Sequence, residues 1–205
     1  ERAADAYTFF VVYARSPVII DYNEIDTPEI VIKKLGFYEL NSFIEEKLAR
    51  KVVVFGACTG SDTHTVGIDA ILNMKGFAGD YGLERYPWFE AYNLGSQVPN
   101  EVLIARAQEK NADAILVSQV VTQRDVHKEN SRQFIDAAKK AGIYGKMTLL
   151  LGGPRVDHKL ALELGFDAGF GPGTKPSDVA NFVVHQVMQR LGKEAKGTHF
   201  EGAPV

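Results

Sequence analysis

After Lys51 the chain repeats one pattern five times: a short run of β-branched and aliphatic residues, a loop rich in polar residues or glycine, and a segment with apolar residues at helical spacing. Such alternation builds a parallel sheet, because parallel strands need a long crossover and the crossover helices cover both faces. The runs at 52–56, 88–94, 114–118, 148–151 and 168–171 are expected to be strands. The stretches at 67–74, 100–110, 126–141, 158–164 and 177–191 are expected to be the helices that follow them. The predicted fold class is α/β, a doubly wound parallel five-stranded sheet of Rossmann-like type over residues 51–193. In such a sheet the ligand crevice lies at the carboxyl ends of the strands.

Residues 1–50 follow a different pattern. Apolar runs at 7–13 and 18–22 flank Ser16-Pro17 as two strands and a turn, and Leu40, Phe43, Ile44 and Leu48 mark a connecting helix over 39–50. The first run is apolar on both alternating faces, so it is expected to be covered by missing upstream sequence or by another subunit, which makes 1–50 a small dimerisation region. The chain opens at Glu1 without an initiator Met, and upstream sequence is expected. Residues 194–205 form a polar, Gly-containing tail.

Composition excludes some classes of function. Twenty-three Lys and Arg against 26 Asp and Glu give a net charge of −3, which supplies no positive field for phosphate backbones, so no nucleic acid partner is expected. No apolar run approaches the length that spans a bilayer, so no membrane partner is expected. The single cysteine, Cys58, cannot form an internal disulfide and suits a cytoplasmic location as a small buried thiol. His127, His158, His185 and His199 have no second ligand at metal spacing and are expected to be solvated.

The loop after the first predicted strand carries the most chemistry. It lacks the Gly-Lys-Ser/Thr ending of a nucleoside-triphosphate loop and the glycine spacing of a dinucleotide fingerprint. What remains is Asp62-x-His64-x-x-Gly67. An imidazole that ligates a metal through one nitrogen needs its other N–H held by an acceptor, and Asp62 is placed to be that acceptor. Gly67 would let the next helix start close to a bulky planar ligand. The residues alone favour the plainer reading, with Asp62 as a helix cap and His64 as a loop residue. The third strand ends in Ser118-Gln119-Val120-Val121-Thr122 and the fourth in Gly152-Gly153.

Taken together, Asp62-x-His64-x-x-Gly67, Ser118-x-Val120 and Gly152-Gly153 resemble, in order, the pattern of cobalamin-binding domains that hold the cofactor with its own base displaced from cobalt. Val120 stands where that pattern has Leu, and the spacers are somewhat longer. The resemblance implies that His64 is the lower axial ligand of cobalt and Asp62 its supporting carboxylate. It also implies that Ser118 and Thr122, with Gly152 and Gly153, lie along the slot for the displaced nucleotide tail, and that Phe170-Gly171-Pro172-Gly173 closes its far end.

A second resemblance is longer. Asp62–Gly67 with the block around Lys75, and with Phe9-Phe10-Val11-Val12-Tyr13, Tyr22-Asn23-Glu24-Ile25, Tyr92-Asn93-Leu94-Gly95-Ser96-Gln97 and Gly152-Gly153-Pro154-Arg155, resembles the lysine 5,6-aminomutase β-subunit family from residue 6 to about 191. In that family the lysine eleven residues after the axial histidine bonds covalently to pyridoxal phosphate, and Lys75 has that spacing. Eleven helical residues would rise about 16 Å and return to nearly the same face. Lys75 is followed by Gly76 and Gly79, which leaves chain and side chain expected to move.

The likeness implies an isomerase that uses two cofactors. Adenosylcobalamin would supply a 5′-deoxyadenosyl radical, and pyridoxal phosphate would carry the migrating amino group of β-lysine or D-lysine. Lys75 would hold the resting enzyme open until substrate displaces it. The chain has no eightfold βα array, so the barrel for substrate and pyridoxal phosphate is expected on a partner α subunit, in an α2β2 assembly. D-Ornithine 4,5-aminomutase shares the His-to-Lys spacing and is the nearest enzyme alternative. A corrinoid methyl carrier or cobalamin sensor would use Asp62, His64 and Gly67 but not Lys75, and a non-catalytic doubly wound domain would use none of them. Arg85 and Tyr86 could support the Lys75 region or simply pack, and Asp69 and Asn73 have no assigned role.

Overall fold

The protein is described from a computed structural model, which covers residues 34–192 and, as backbone, two short strands before them. Those strands, β1 (Arg2–Ala4) and β2 (Tyr7–Thr8), pair antiparallel. Apart from Tyr7 and Thr8, the strand pair expected at 7–13 and 18–22 lies outside the described residues, as do the tail and His199.

The remaining elements alternate. Helix α1 (Phe37–Lys47) leads into β3 (Val52–Cys58), α2 (Val66–Leu72), β4 (Phe89–Asn93), α3 (Asn100–Glu109), β5 (Ala114–Ser118) and α4 (Val126–Lys140). Strand β6 (Thr148–Gly152), α5 (His158–Leu164), β7 (Ala168–Phe170) and α6 (Pro176–Arg190) complete it. Strands β3 to β7 form one parallel sheet in the order β4-β3-β5-β6-β7. This is a doubly wound sheet of flavodoxin-like order. The chain leaves β3 toward β4 on one side and later passes to β5 on the other, so a crevice opens above the ends of β3 and β5.

Each sheet face has its own core because strand side chains alternate. Val52, Val54 and Cys58 of β3, with Leu116 and Leu150, pack under α1, α2 and α6. Phe55 and Ala57, with Ile115, Val117, Leu149 and Leu151, pack under α3, α4 and α5. Leu40, Ile44 and Leu48 bind α1 into the first core, and the Asn41 side chain accepts from the Trp88 N–H at 3.3 Å. At the carboxyl edge Cys58, Ser118, Gly152 and Phe170 stand in one row across four strands. That row is the floor of the site.

His127 and His158 are not solvated. His127 is 4% exposed, because the apolar stripe of α4 through Phe134, Ile135 and Ala138 extends back to Ser131 and His127. His158 is half-buried, and its Nδ1 accepts from the Gly169 N–H at 3.3 Å. Burial lowers the pKa of both imidazoles.

Phe134 is fully buried and stacks on Phe166 at 5.8 Å between ring centroids. Phe134→Ala should lower the unfolding free energy by about 3–5 kcal/mol in urea denaturation, whereas Tyr38→Ala, at a residue 79% exposed, should leave the midpoint nearly unchanged.

Candidate functional site

The loop from β3 to α2 is organised by one buried carboxylate. Asp62 is 1% exposed, and its Oδ1 accepts from the backbone N–H of His64 at 3.0 Å and lies 3.0 Å from His64 Nδ1. Its Oδ2 accepts from the backbone N–H groups of Val120, a short contact, and Val121, at 3.0 Å. Burial alone would raise the Asp62 pKa, but the N–H groups of His64, Val121 and Val120 and the imidazole outweigh it and hold the carboxyl below its ordinary value. An ionised carboxylate only accepts, so Nδ1 of His64 carries a proton toward it, and in the neutral ring that tautomer puts the lone pair on Nε2. The His64 side chain is 56% exposed.

Asp62 therefore does not cap α2. The N-cap is Thr65, which makes no side-chain cap bond. The carboxylate instead ties the loop after β3 to the loop after β5, across the crevice.

A cleft of about 470 Å³ opens beside His64, between α2, the ends of β5 and β6, and the 170–179 segment. Gly67, Ser118, Gly152, Gly153 and Gly171 line it, with His64 at its wall. A Cβ on Gly67 would lie 3.6 Å from Ser118 Oγ, so α2 and β5 face each other closely there. At Gly153 a Cβ would come within 2.1 Å of the Gln119 carbonyl oxygen, which forbids a side chain. Beneath, Gln119 is fully buried; its Nε2 donates to Thr59 Oγ1 at 2.8 Å and its Oε1 accepts from Asn130 at 3.0 Å. Thr122 and Gly173 do not line the cleft: Thr122 precedes a short 3-10 turn, and Gly173 is exposed with φ +87°. Val66, Phe77, Phe170 and Thr174 line it without belonging to any motif except the 170–173 run.

Lys75 is exposed on the turn after α2, and Phe77 of the same turn reaches the cleft. The backbone there is braced, contrary to the mobility expected from Gly76 and Gly79. The Gly76 N–H donates to Asn73 O at 2.8 Å, and Phe77 and Asp80 exchange two backbone bonds at 3.0 Å. Gly76 has φ +68°, and a Cβ there would sit 1.9 Å from Asp80 O, so it permits close packing and not slack. The Ser177 hydroxyl at the start of α6 donates to Asp80, and Met74 N–H donates to Glu84 at 3.0 Å.

Other expected residues have structural roles. The Cys58 thiol is buried, contacts His64 O at 3.2 Å, and is pushed by burial up to about 11. Asp69 and Asn73 both accept from the Asn93 amide, at 2.6 and 3.1 Å, which fastens α2 to β4. Arg85 covers the Tyr81 ring at 3.9 Å, and Tyr86 is buried among Phe37 and Phe89. Among the described residues no group of three or more His, Cys, Asp or Glu forms a metal cage.

With this geometry in view, comparison with known proteins decides the family. The B12 binding domain profile matches residues 52–180. The lysine 5,6-aminomutase beta subunit of Fusobacterium nucleatum subsp. nucleatum is 50% identical over 184 residues, 90% of this chain and 70% of that one. The chain belongs to the lysine 5,6-aminomutase β-subunit family, isomerase subunits with a B12-binding domain. The corresponding subunit of Acetoanaerobium sticklandii is also 50% identical, over 187 residues, 91% of this chain and 71% of that one. In fold, a cobalamin-binding protein from Desulfitobacterium hafniense DCB-2 superposes with a TM-score of 0.53 at 18% identity, covering 73% of this chain and 67% of that one. No helix among the described residues is long and apolar enough to cross a membrane.

Asp62→Asn places a donor among N–H groups that all need an acceptor, and should destabilise the fold by about 1–3 kcal/mol at neutral pH in urea titrations. Folding lowers the Asp62 pKa, so the carboxylate stabilises the protein above its unfolded pKa and loses that contribution as pH falls through the folded value. The gap between wild type and Asp62→Asn should therefore narrow on acidification below about pH 4.

Proposed function

We propose that this chain is the cobalamin-binding β subunit of an adenosylcobalamin- and pyridoxal-phosphate-dependent lysine 5,6-aminomutase, acting on β-lysine or D-lysine. One observation carries the reading: an imidazole oriented by a buried carboxylate stands beside a deep apolar cleft, in a chain half identical to named β subunits over nine-tenths of its length. His64 Nε2, the ring nitrogen that does not face Asp62, would be the protein nitrogen offered to the cobalt of a corrinoid. Asp62 keeps the opposite nitrogen protonated and the ring fixed, which raises the basicity of the ligand.

The glycines support the fit. Gly67 leaves α2 without a side chain facing Ser118, and Gly153 brings the β6 loop against Gln119, which keeps the slot open between them. Ser118, Gly152, Gly153 and Gly171 would line the path of the displaced nucleotide tail. Thr122 and Gly173, which the resemblance implied for that path, have no part in it in this reading, because neither lines the cleft.

When bound, adenosylcobalamin supplies an alkyl radical and pyridoxal phosphate carries the amino group that moves. Lys75 is the attachment amine for pyridoxal phosphate, since a primary amine condenses with an aldehyde where a guanidinium does not. The barrel for that cofactor and for substrate belongs to an α subunit, in an α2β2 enzyme with residues 1–50 at a subunit contact. Residues 51–193 are the cobalamin domain, with α1 packed onto it as an integral piece.

Two measurements on the protein assembled with its α subunit test this. His64→Ala should remove the coupling between Co(II) and isotopically labelled histidine nitrogen in paramagnetic resonance. Borohydride reduction in the presence of pyridoxal phosphate should label Lys75, and Lys75→Ala should keep the cobalt coupling while losing that label. Label on another lysine of this chain defeats the Lys75 assignment. Turnover of ornithine isomers in place of lysine isomers would move the substrate assignment to the ornithine enzyme.

A further inference from the structure

The cleft assigned to the nucleotide tail has a wall chemistry that distinguishes among tails. Ile68, Ile71, Leu116, Leu150, Phe170 and Val179 supply its hydrocarbon surface. Among the described residues, no Asp, Glu, Lys, Arg, Asn or Gln lines it. Two hydroxyls do: Thr174 Oγ1, which already donates to the Gly171 carbonyl at 2.8 Å, and Ser118 Oγ, which faces Gly67. The main chain at the strand ends is engaged too. The Gly152 carbonyl accepts from the Gln119 N–H at 2.8 Å, and the Phe170 carbonyl accepts from the Gly153 N–H at 3.2 Å.

A flat aromatic base entering this space trades water for hydrocarbon. For a benzimidazole or a phenol the trade is favourable over nearly the whole ring. A purine carries an amino group and several ring nitrogens that water had satisfied, and the side chains of this wall offer two hydroxyls in place of that water. A site without matching polar groups rejects such a ligand by the desolvation it cannot return.

We propose that this chain selects among corrinoids by the lower base of the nucleotide tail, accepting benzimidazole- and phenol-type bases and discriminating against purines. The inference rests on the reading of the cleft as the tail site. It also predicts an order opposite to that of base displacement, since a purine nitrogen is the poorer donor to cobalt and leaves it more readily than a benzimidazole nitrogen. A phenol-type base has no nitrogen for cobalt at all, so its affinity reports the slot alone.

The test titrates the assembled protein, with histidine isotopically labelled, against four Co(II) corrinoids: benzimidazolyl, phenolyl, adeninyl and the tailless cobinamide. Absorbance gives affinity, and paramagnetic resonance gives the histidine coupling. The benzimidazolyl and phenolyl forms should each bind at least tenfold more tightly than the adeninyl form, and the adeninyl form should gain little over cobinamide. An adeninyl form that binds as tightly as the other two overturns the selectivity; if histidine coupling is present with all four, the site reading survives that result. Absence of histidine coupling with every corrinoid overturns both.

Discussion

A carboxylate taken out of water is tolerated only where its oxygens are fully used, and Asp62 meets that condition with three backbone N–H groups and one imidazole. Two of those N–H groups belong to Val120 and Val121, on the far side of the crevice. The same charge therefore closes the sheet's switch point and aims His64. Removing it would unfasten two crossover loops and free the ring, so the geometry of the loops and that of the imidazole are one constraint. The flat row of Cys58, Ser118, Gly152 and Phe170 below supplies the surface against which the cleft is built.

The polar chain of Thr59, Gln119 and Asn130 serves the same end from beneath. Thr59 and Gln119 are buried and hydrogen-bonded, so the chain fixes the β5 loop in one arrangement where an apolar filling would allow several. Gly153 sits against that loop with no space for a methyl group. Rigidity at this point matters because a slot for a large ligand keeps its width only if its walls cannot lean inward.

The alternation of β-branched runs and amphipathic segments made the sheet legible, and the helix over 158–164 begins and ends where the spacing placed it. Strand β3 continues two residues past Gly56 because Ala57 and Cys58 are small, buried and paired with Val117 and Ser118, a benefit conferred by a neighbouring strand. The Asp62–His64 pair was legible because a carboxylate two residues away reaches an imidazole within its own loop. Its contacts to Val120 and Val121 were not, since main-chain donors 58 and 59 residues distant leave no side-chain signature. His127 had a signal that charge masked: it continues the spacing of Ser131, Phe134 and Ile135, though Asp125 and Lys128 beside it point to solvent. Phe77 and Thr174 reach the cleft from irregular segments, where periodicity has nothing to say.

The braced turn after α2 has a mechanical consequence. Two glycines there serve as keystones, since a Cβ would lie 1.9 Å from Asp80 O at Gly76 and 1.8 Å from Asn73 O at Gly82, and Asp80 is fastened to the first turn of α6. The backbone carrying Lys75 is thus part of the same plate as the sheet. In the proposed assembly, whatever distance its amine covers beyond the reach of the side chain would be travelled by the plate as a unit.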